Sequence, residues 1–347
     1  MKTPAIRAAL PGLVAAALLL SSVAVSAEGG YTVRKLRLPG GPDPILMDYI
    51  AFDPATRFVW APAGNTGTVD VVDTAGATET IRQIPGFPTS EMGTGARKRR
   101  VGPSSVAIGE GTVYVGNRGD STICAFDPRT LARGACHHLD SMPDGLAYVA
   151  STKEVWVTTP RDKSIRILDA DKLDEKAKLS FDGNPEGFAV DAKRQRFYTN
   201  LEDKDRTIAI NLKTRKTVAE WKPFCGEDGP HGLRADPEAG RLFVACSARA
   251  LVLDIARDGR VLSWIDTGDG ADDLDYAPAT RLLYVGAAKA AQLTIARVDD
   301  WGNLSLVATV KTPAGARNPA VTDKGAVYLA HSALGGSSDL VVVEPVR

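Results

Sequence analysis

One polar side chain recurs in each of seven sequence repeats, close to a turn rich in proline and glycine. A residue that only shapes a turn would tend to be the same in every repeat. These residues differ from repeat to repeat, yet all carry oxygen or nitrogen donors. They are the candidate ligand-binding residues, and the alternative is a hydrated polar surface without a specific ligand. The seven residues are Asp48, Ser104, Asp144, Glu186, His231, Asp272 and Asn318.

Four of the seven are carboxylates, which raise one another's pKa when they are gathered in one place. Such an arrangement is costly unless water, a cationic ligand or a metal ion offsets the charge. Oxygen donors suit calcium or magnesium, whereas the single His231 allows a transition metal instead. We expect the cluster to hold a divalent cation through a subset of these side chains. His331 could reach a ligand there, with an ordinary loop histidine as the alternative.

A basic run, Arg97-Lys98-Arg99-Arg100, lies in an insertion between the first two repeats, and Pro88, Gly93 and Gly95 mark the insertion as a loop. Unusually long loops in compact domains are often functional. The run is either a solvated charge cluster or a contact for an anionic ligand or an acidic partner.

The elements that position these residues follow from an internal repeat. A short apolar strand centred on an aromatic residue is followed by a β-branched strand and a more polar segment. The aromatic-centred strand is preceded by a turn that leads into alternating apolar residues. Four short strands per repeat indicate an antiparallel sheet. The aromatic residues are Trp60, Tyr114, Trp156, Tyr198, Phe243, Tyr284 and Tyr328, so the interval is 54 residues once and then 41 to 45 residues.

Seven four-stranded sheets at this period predict an all-β, seven-bladed β-propeller. A single sheet of this size exposes two edges, and a closed ring protects them. The seventh repeat runs out after its third strand, 340–343, while residues 31–38 form a strand without a repeat of their own. We therefore predict that the amino-terminal strand completes the last blade and closes the ring. Since the first strand of a propeller blade is innermost, the seven polar residues should surround one mouth of the central channel.

An acid or amide closes the third strand in most repeats, as at Asp127, Asp169 and Asn211. Each precedes a turn in which its side chain can accept backbone N–H groups. A residue type repeated in this way is predicted to serve the fold rather than a ligand.

The amino terminus resembles a secretory signal. Lys2 and Arg7 precede an apolar stretch, and Val25-Ser26-Ala27 fits cleavage after small residues. Pro11 and Gly12 shorten that stretch below the roughly 20 residues that a membrane span needs. We expect residues 1–27 to be a signal peptide and residues 28–347 to form a single domain, periplasmic or secreted and monomeric, without membrane insertion after cleavage.

The charges of the chain balance, with 42 basic and 42 acidic residues. This balance leaves no broad positive surface for nucleic acid, so no nucleic-acid partner is expected.

The four cysteines permit two disulfides in an oxidising compartment. Cys124 and Cys136 are equidistant from Thr130 and would face each other across a hairpin that turns there. Cys225 precedes the fifth blade and Cys246 ends its second strand, so both fall on the same face of the ring. These two pairs are the predicted disulfides, and four free thiols are the alternative.

Units such as Gly111-Thr112-Val113-Tyr114-Val115-Gly116-Asn117 resemble the YVTN-repeat propellers, and the Pro-x-Gly turns resemble those of the wider lactonase-like propellers. The resemblance covers about residues 31–345. In gluconolactonase-like propellers the Pro-x-Gly position carries divalent-metal ligands. The resemblance therefore implies a metal site at Asp144, Glu186 and His231, with Asp272 added by alignment.

Two kinds of function remain open. The leading one is a binding or scaffolding propeller without catalysis, whose channel-mouth face meets a protein or a small ligand. The alternative is a divalent-metal-dependent hydrolase or lyase that uses the mouth carboxylates. The acidic Glu-Gly-Pro opening of the lactonases is absent, since the first repeat has Met47-Asp48-Tyr49, and this favours binding. A third possibility is a subunit that docks a cofactor-bearing chain in a redox complex.

Overall fold

Antiparallel β-sheets make up almost all of the regular structure. The computed structural model describes residues 24–26, 30–40, 44–95, 98–332 and 338–346. This part of the chain contains seven blades of four strands, so the predicted seven-bladed β-propeller is confirmed. The predicted signal peptide lies outside the described residues except for 24–26, and its cleavage stays a prediction.

The strands follow the repeat along the chain. The first two are β1 (Ala24–Ser26) and β2 (Tyr31–Arg37). Blade 1 contains β3 (Ala51–Asp53), β4 (Phe58–Ala63), β5 (Thr68–Asp73) and β6 (Thr80–Ile84). The insertion forms a hairpin of β7 (Ser90–Met92) and β8 (Arg99–Val101). Blade 2 contains β9 (Pro103–Ile108), β10 (Val113–Asn117), β11 (Thr122–Phe126) and β12 (Arg133–His138).

The next three blades have the same plan. Blade 3 contains β13 (Leu146–Val149), β14 (Glu154–Thr159), β15 (Ser164–Asp169) and β16 (Glu175–Ser180). Blade 4 contains β17 (Pro185–Asp191), β18 (Arg196–Leu201), β19 (Arg206–Asn211) and β20 (Thr217–Trp221). Blade 5 contains β21 (Pro230–Asp236), β22 (Arg241–Cys246), β23 (Arg249–Asp254) and β24 (Arg260–Asp266).

The last two blades complete the ring. Blade 6 contains β25 (Ala271–Ala277), β26 (Leu282–Ala287), β27 (Gln292–Val298) and β28 (Leu304–Lys311). Blade 7 contains β29 (Ala316–Val321), β30 (Val327–His331) and β31 (Asp339–Pro345), with β2 as its fourth strand and β1 added beyond it. Short 3-10 helices at Gly64–Thr66, Pro160–Asp162 and Glu202–Lys204 connect the second and third strands of blades 1, 3 and 4, and a further one lies at Ile255–Arg257.

The order of the strands decides which residues share a face. The first strands of neighbouring blades, such as β17, β21 and β25, contact one another around the centre of the ring. Consecutive strands are antiparallel. The start of each first strand therefore lies on the same face as the turn between the second and third strands.

The core is divided among the interfaces between blades. Seven clusters of buried apolar side chains each join two neighbouring blades. The aromatic residue of each second strand is buried in them, from Trp60 at 0% exposure to Tyr114 and Tyr284 at 3%. Apolar burial stabilises folding by roughly 25 cal/mol per Å². Each blade is thus stabilised mainly by its two neighbours.

Ring closure depends on the pairing of β2 with β31, which runs from Tyr31 opposite Pro345 to Arg37 opposite Asp339. Along β2, Val33 and Leu36 point inward and are 5% and 8% exposed. Val33 packs at the interface with blade 6 and Leu36 at the interface with blade 1. The predicted closure by the amino-terminal strand is confirmed.

Both predicted disulfides are formed. Cys124 and Cys136 are opposite each other on β11 and β12, with Cα atoms 4.1 Å apart. Cys225 and Cys246 join the loop before blade 5 to the end of β22, with Cα atoms 5.2 Å apart. Since none of the four is a free thiol, the pairing inferred from the repeat is confirmed.

We predict that Leu36→Ala weakens ring closure. The substitution removes packing from a buried cluster and should lower the free energy of unfolding by about 2–5 kcal/mol. Thr32→Ala, an exposed position on the same strand, is the matched control and should change it little. Urea unfolding measures both, and a Leu36→Ala midpoint equal to that of the wild type would contradict the closure model.

A second prediction concerns the disulfides. Thiol titration of the unfolded, unreduced protein should detect no free thiol. Replacing Cys225 and Cys246 together by alanine should cost about 3 kcal/mol, because the unfolded chain loses a loop constraint. Four titratable thiols in the unreduced protein would show that the bridges are absent.

Candidate functional site

The mouth of the channel forms a pocket of about 440 Å³ on the face that carries the starts of the first strands. Five of the seven predicted ligand-binding residues line it, namely Asp48, Ser104, Asp144, Glu186 and Asp272. Asn318 is buried beside the pocket, where its Nδ2 donates to Asp48 Oδ1 at 2.9 Å and its Oδ1 accepts from the Asp273 backbone at 3.2 Å. His231 lies beside Glu202, away from the pocket lining.

Arginines, absent from the predicted set, neutralise three of the four mouth carboxylates. Arg118, at the end of the second strand of blade 2, donates to Asp48 Oδ2 at 2.7 Å and also to Asp144 Oδ1. Arg317 Nη1 lies 2.9 Å from Asp272 Oδ2. Burial opposes the charge of Arg118, but the two carboxylates outweigh it and raise its pKa. The expected repulsion among the acids is relieved by these guanidinium groups.

Burial also acts on the acids. It raises the pKa of Asp144 to about 6, even though Arg118 acts in the opposite direction. Asp144 and Asp272, two of the four predicted cation ligands, thus already have cationic partners within the protein.

The other two predicted cation ligands, Glu186 and His231, meet a residue that the sequence did not single out. Glu202 begins a 3-10 turn in blade 4, and its Oε1 lies 3.1 Å from His231 Nδ1. The carboxyl groups of Glu186 and Glu202 are close enough that each shifts the pKa of the other. One ligand atom from each of the three residues lies within 4.8 Å of the others. Among the described residues, this is the group of acidic and histidine side chains at the mouth that is close enough to hold a metal ion.

The pKa values within this trio diverge. Burial raises the pKa of Glu186 well above its usual value, and the negative charges of Glu202 and Asp144 add to the effect. Burial opposes the ionisation of Glu202, but the neighbouring His231 and Glu186 side chains lower its pKa. Burial also opposes the protonation of His231, yet Glu202 raises its pKa. The pKa of Glu186 is therefore raised where that of Glu202 is lowered, so Glu186 binds a proton more readily than Glu202 does.

The basic run contributes to the same pocket. Arg99 and Arg100, on β8, line it together with Arg161 from the turn in blade 3. Arg99 keeps an exposed side chain, but partial desolvation in the pocket lowers its pKa, and repulsion from Arg118 lowers it further. Arg100 pairs with Glu91, whereas Arg99 and Arg161 have no ion pair among the described residues. Arg97 lies outside the described residues.

Two buried polar atoms of the pocket have no hydrogen-bond partner within the described part of the chain. They are Ser104 Oγ and Asp144 Oδ2. Ser104 is only 6% exposed. Buried polar groups in native proteins are almost always satisfied, so these atoms are available to a ligand.

The channel is filled below the mouth. Tyr49 of blade 1 and Phe188 of blade 4 come from opposite sides of the ring, yet their ring centroids are 5.7 Å apart. Deeper contacts include Arg234 Nη2, which donates to Asp273 Oδ2 at 3.0 Å. The site is therefore a closed bowl rather than an open tunnel.

His331 does not reach the mouth. It is 1% exposed, its Nδ1 lies 2.5 Å from Asp339 Oδ1, and its Nε2 lies 3.1 Å from the Ala314 carbonyl. With both ring nitrogens engaged, it fastens β30 to β31 within blade 7.

Three mouth residues that were not predicted from the sequence lie at a second repeated position, in the turn after the second strand. Arg118 and Glu202 each lie four residues after the aromatic residue of their second strand, and Arg161 lies five after its own. These turns reach the mouth because they share a face with the starts of the first strands. Aligning the repeats on the aromatic residues and reading the turn would have found them.

Comparison with known proteins identifies the architecture. No protein-family model matches the chain, and no curated protein sequence matches it. The RRP9 WD40 repeats align with 94% of this chain and 100% of their own at a TM-score of 0.72 and 12% identity. A chain of the mitotic checkpoint complex aligns over 99% of both chains, with a TM-score of 0.70 and 12% identity. Hydrazine synthase from Kuenenia stuttgartiensis covers 85% of this chain and 95% of its own, with a TM-score of 0.68 and 13% identity.

These likenesses define the chain as a β-propeller of the shape shared with WD40 proteins, and at such identities they show the fold alone. Within the described residues, no helix is long and apolar enough to cross a membrane.

We predict that Arg118→Gln destabilises the fold by about 3–5 kcal/mol near neutral pH, since it leaves two largely buried carboxylates without their cation. Loss of the guanidinium raises the folded-state pKa of Asp144 further above its unfolded value. Stability is then lost as the pH rises through that pKa, so the deficit should shrink when the pH falls to about 4. Urea unfolding at the two pH values measures it. Adding Asp144→Asn should recover part of the loss, and a deficit independent of pH would contradict the assignment.

Proposed function

We propose that this chain is an exported propeller of the YVTN-repeat type that binds a small anionic ligand in the channel-mouth pocket and has no catalytic activity of its own. The observation that carries the proposal is the excess of arginine in a closed, polar bowl. The β-propeller fold, typical of binding and scaffolding modules, supports this reading. Two disulfides are compatible with an oxidising compartment outside the cytoplasm.

The charge of the pocket favours an anion. Its lining has five arginines against four carboxylates, and 5 − 4 gives a formal charge of +1. The raised pKa of Glu186 disfavours its negative charge and so acts in the same direction. Arg99 and Arg161 extend from separate elements, the inserted hairpin and blade 3, and both are exposed. Guanidinium groups bind carboxylate and phosphate oxygens in a bidentate geometry.

The two buried pocket atoms without a hydrogen-bond partner indicate which kind of anion would fit. Asp144 Oδ2 is a buried acceptor, and Ser104 Oγ can donate or accept. A ligand hydroxyl group would satisfy them while a carboxylate contacts the arginines. The pocket therefore suits a hydroxy acid better than a simple dicarboxylate.

The test compares malate with succinate, which differ by one hydroxyl group, in calorimetric titrations of the mature protein. We expect malate to bind more tightly, with an affinity that falls as salt screens the arginines. Arg161→Gln should weaken binding about tenfold, which corresponds to about 1.4 kcal/mol. Arg257→Gln is the matched control, because this exposed arginine lies in a turn between third and fourth strands, on the opposite face.

The outcomes separate the alternatives. Equal binding by Arg161→Gln and wild type would place the anion elsewhere. No binding of malate, succinate, citrate or phosphate tighter than about 1 mM would remove the small-ligand proposal. Retention of an acidic protein by the wild type but not by Arg161→Gln would then favour scaffolding through the same face.

A further inference from the structure

We propose that Glu186, Glu202 and His231 form a binding site for a divalent first-row transition metal such as Zn²⁺, at the edge of the mouth between blades 4 and 5. The site adjoins the arginine-rich pocket, since Glu186 belongs to both, but the inference does not rest on anion binding. Only two of the four residues expected from the sequence belong to it. Glu202 replaces Asp144 and Asp272, which are committed to arginines.

The geometry of the three side chains fits one ion. Metal–ligand distances of about 2.0–2.2 Å place neighbouring donor atoms roughly 3 to 3.5 Å apart. His231 Nδ1 and Glu202 Oε1 are 3.1 Å apart. All three donors lie within 4.8 Å of one another before any ion is bound. Small side-chain rotations would direct them at a common centre.

The trio lacks a cationic partner of its own. Within the described residues, no lysine or arginine pairs with Glu186 or Glu202, whereas Arg118 and Arg317 pair with the other acids of the mouth. The two glutamates are partly buried and close together, so a negative charge on both is costly. A bound divalent cation would offset it directly.

The site is built rigidly. Gly187 follows Glu186, and a Cβ at this position would lie 2.0 Å from the carbonyl oxygen of His231, so only glycine permits the close approach of the two strands. Asn200 Nδ2 donates to that same carbonyl at 2.6 Å. The second ring nitrogen, His231 Nε2, lies 3.3 Å from Ser247 Oγ. A partner on the second nitrogen is the usual device that orients a metal-binding imidazole.

The donor set selects the class of metal. An imidazole with two carboxylates suits zinc, manganese or iron, whereas calcium and magnesium prefer oxygen donors alone. Three protein ligands leave at least one coordination position open. Since Glu186 also lines the pocket, that position would be reached from the mouth.

The experiment titrates chelator-stripped, untagged, disulfide-intact protein with Zn²⁺ and, separately, Ca²⁺ by calorimetry, and records the visible absorption of a Co²⁺ derivative. We expect one Zn²⁺ per chain, no comparable Ca²⁺ binding, and an absorption band that reports inner-sphere ligands. Glu202→Gln should weaken Zn²⁺ binding at least about tenfold, as a lost ligand costs more than 1.4 kcal/mol. Glu238→Gln, an exposed acid with 85% of its side chain accessible, is the matched control.

Metal-free melting curves of both variants check that they are folded. A second variant, His231→Gln, should shift the Co²⁺ absorption even if some affinity remains, and His138→Gln, an exposed histidine, should not. The proposal is overturned if the folded wild type binds no Zn²⁺, if Ca²⁺ binds equally well, or if Glu202→Gln binds Zn²⁺ like the wild type. The malate titration is carried out on the same chelator-stripped, metal-free protein, so failure of one proposal leaves the other standing.

Discussion

The pairing of β2 with β31 is the interaction on which the rest of the structure depends. Each blade is a small sheet that cannot bury its faces alone, and the seven core clusters lie between blades rather than within them. Without β2, the last blade would expose an open edge and lose Val33 and Leu36 from two of these clusters. Closing the ring also brings blade 7 next to blade 1, so that Asn318 reaches Asp48.

The closed ring forces the starts of seven strands into one small area, and this creates an electrostatic problem. The negative charges are neutralised by different groups on the two sides of the mouth. Around blades 1, 2, 3, 6 and 7, arginines pair with the acids and exceed them in number. Between blades 4 and 5, two glutamates lie beside a histidine, and among the described residues neither is paired with a lysine or arginine. The mouth thus has a cationic part suited to anions and a carboxylate–imidazole part suited to a cation. These parts are distinct because their neutralising groups come from different turns.

The sequence predicts the blades well because their signals are local and repeated. An aromatic residue in each second strand, a turn residue such as Asp127 and the cysteines across β11 and β12 all act over short distances. Asp127 Oδ1 accepts from the Arg129 backbone at 2.9 Å, as its position predicts. The seven polar positions could also be located, because the repeat aligns them. Their partners could not, since Arg118 joins residues of blades 1 and 3 that lie 70 and 26 positions away. Such contacts arise only from the curvature of the ring.

Because the residues that build the blades differ from those that line the mouth, the propeller fold does not determine which ligand is bound. The buried aromatic residues pack in the apolar clusters between blades. Arg118, Arg161 and Glu202 instead lie in turns that contribute little to those clusters. Replacing a turn residue changes the charge of the mouth without removing a blade interface. A shape shared at 12% identity with the RRP9 WD40 repeats is therefore compatible with a wholly different ligand. The exception is Arg118, whose burial between two carboxylates makes it part of both the fold and the site. At that position, a change of function and a change of stability are coupled.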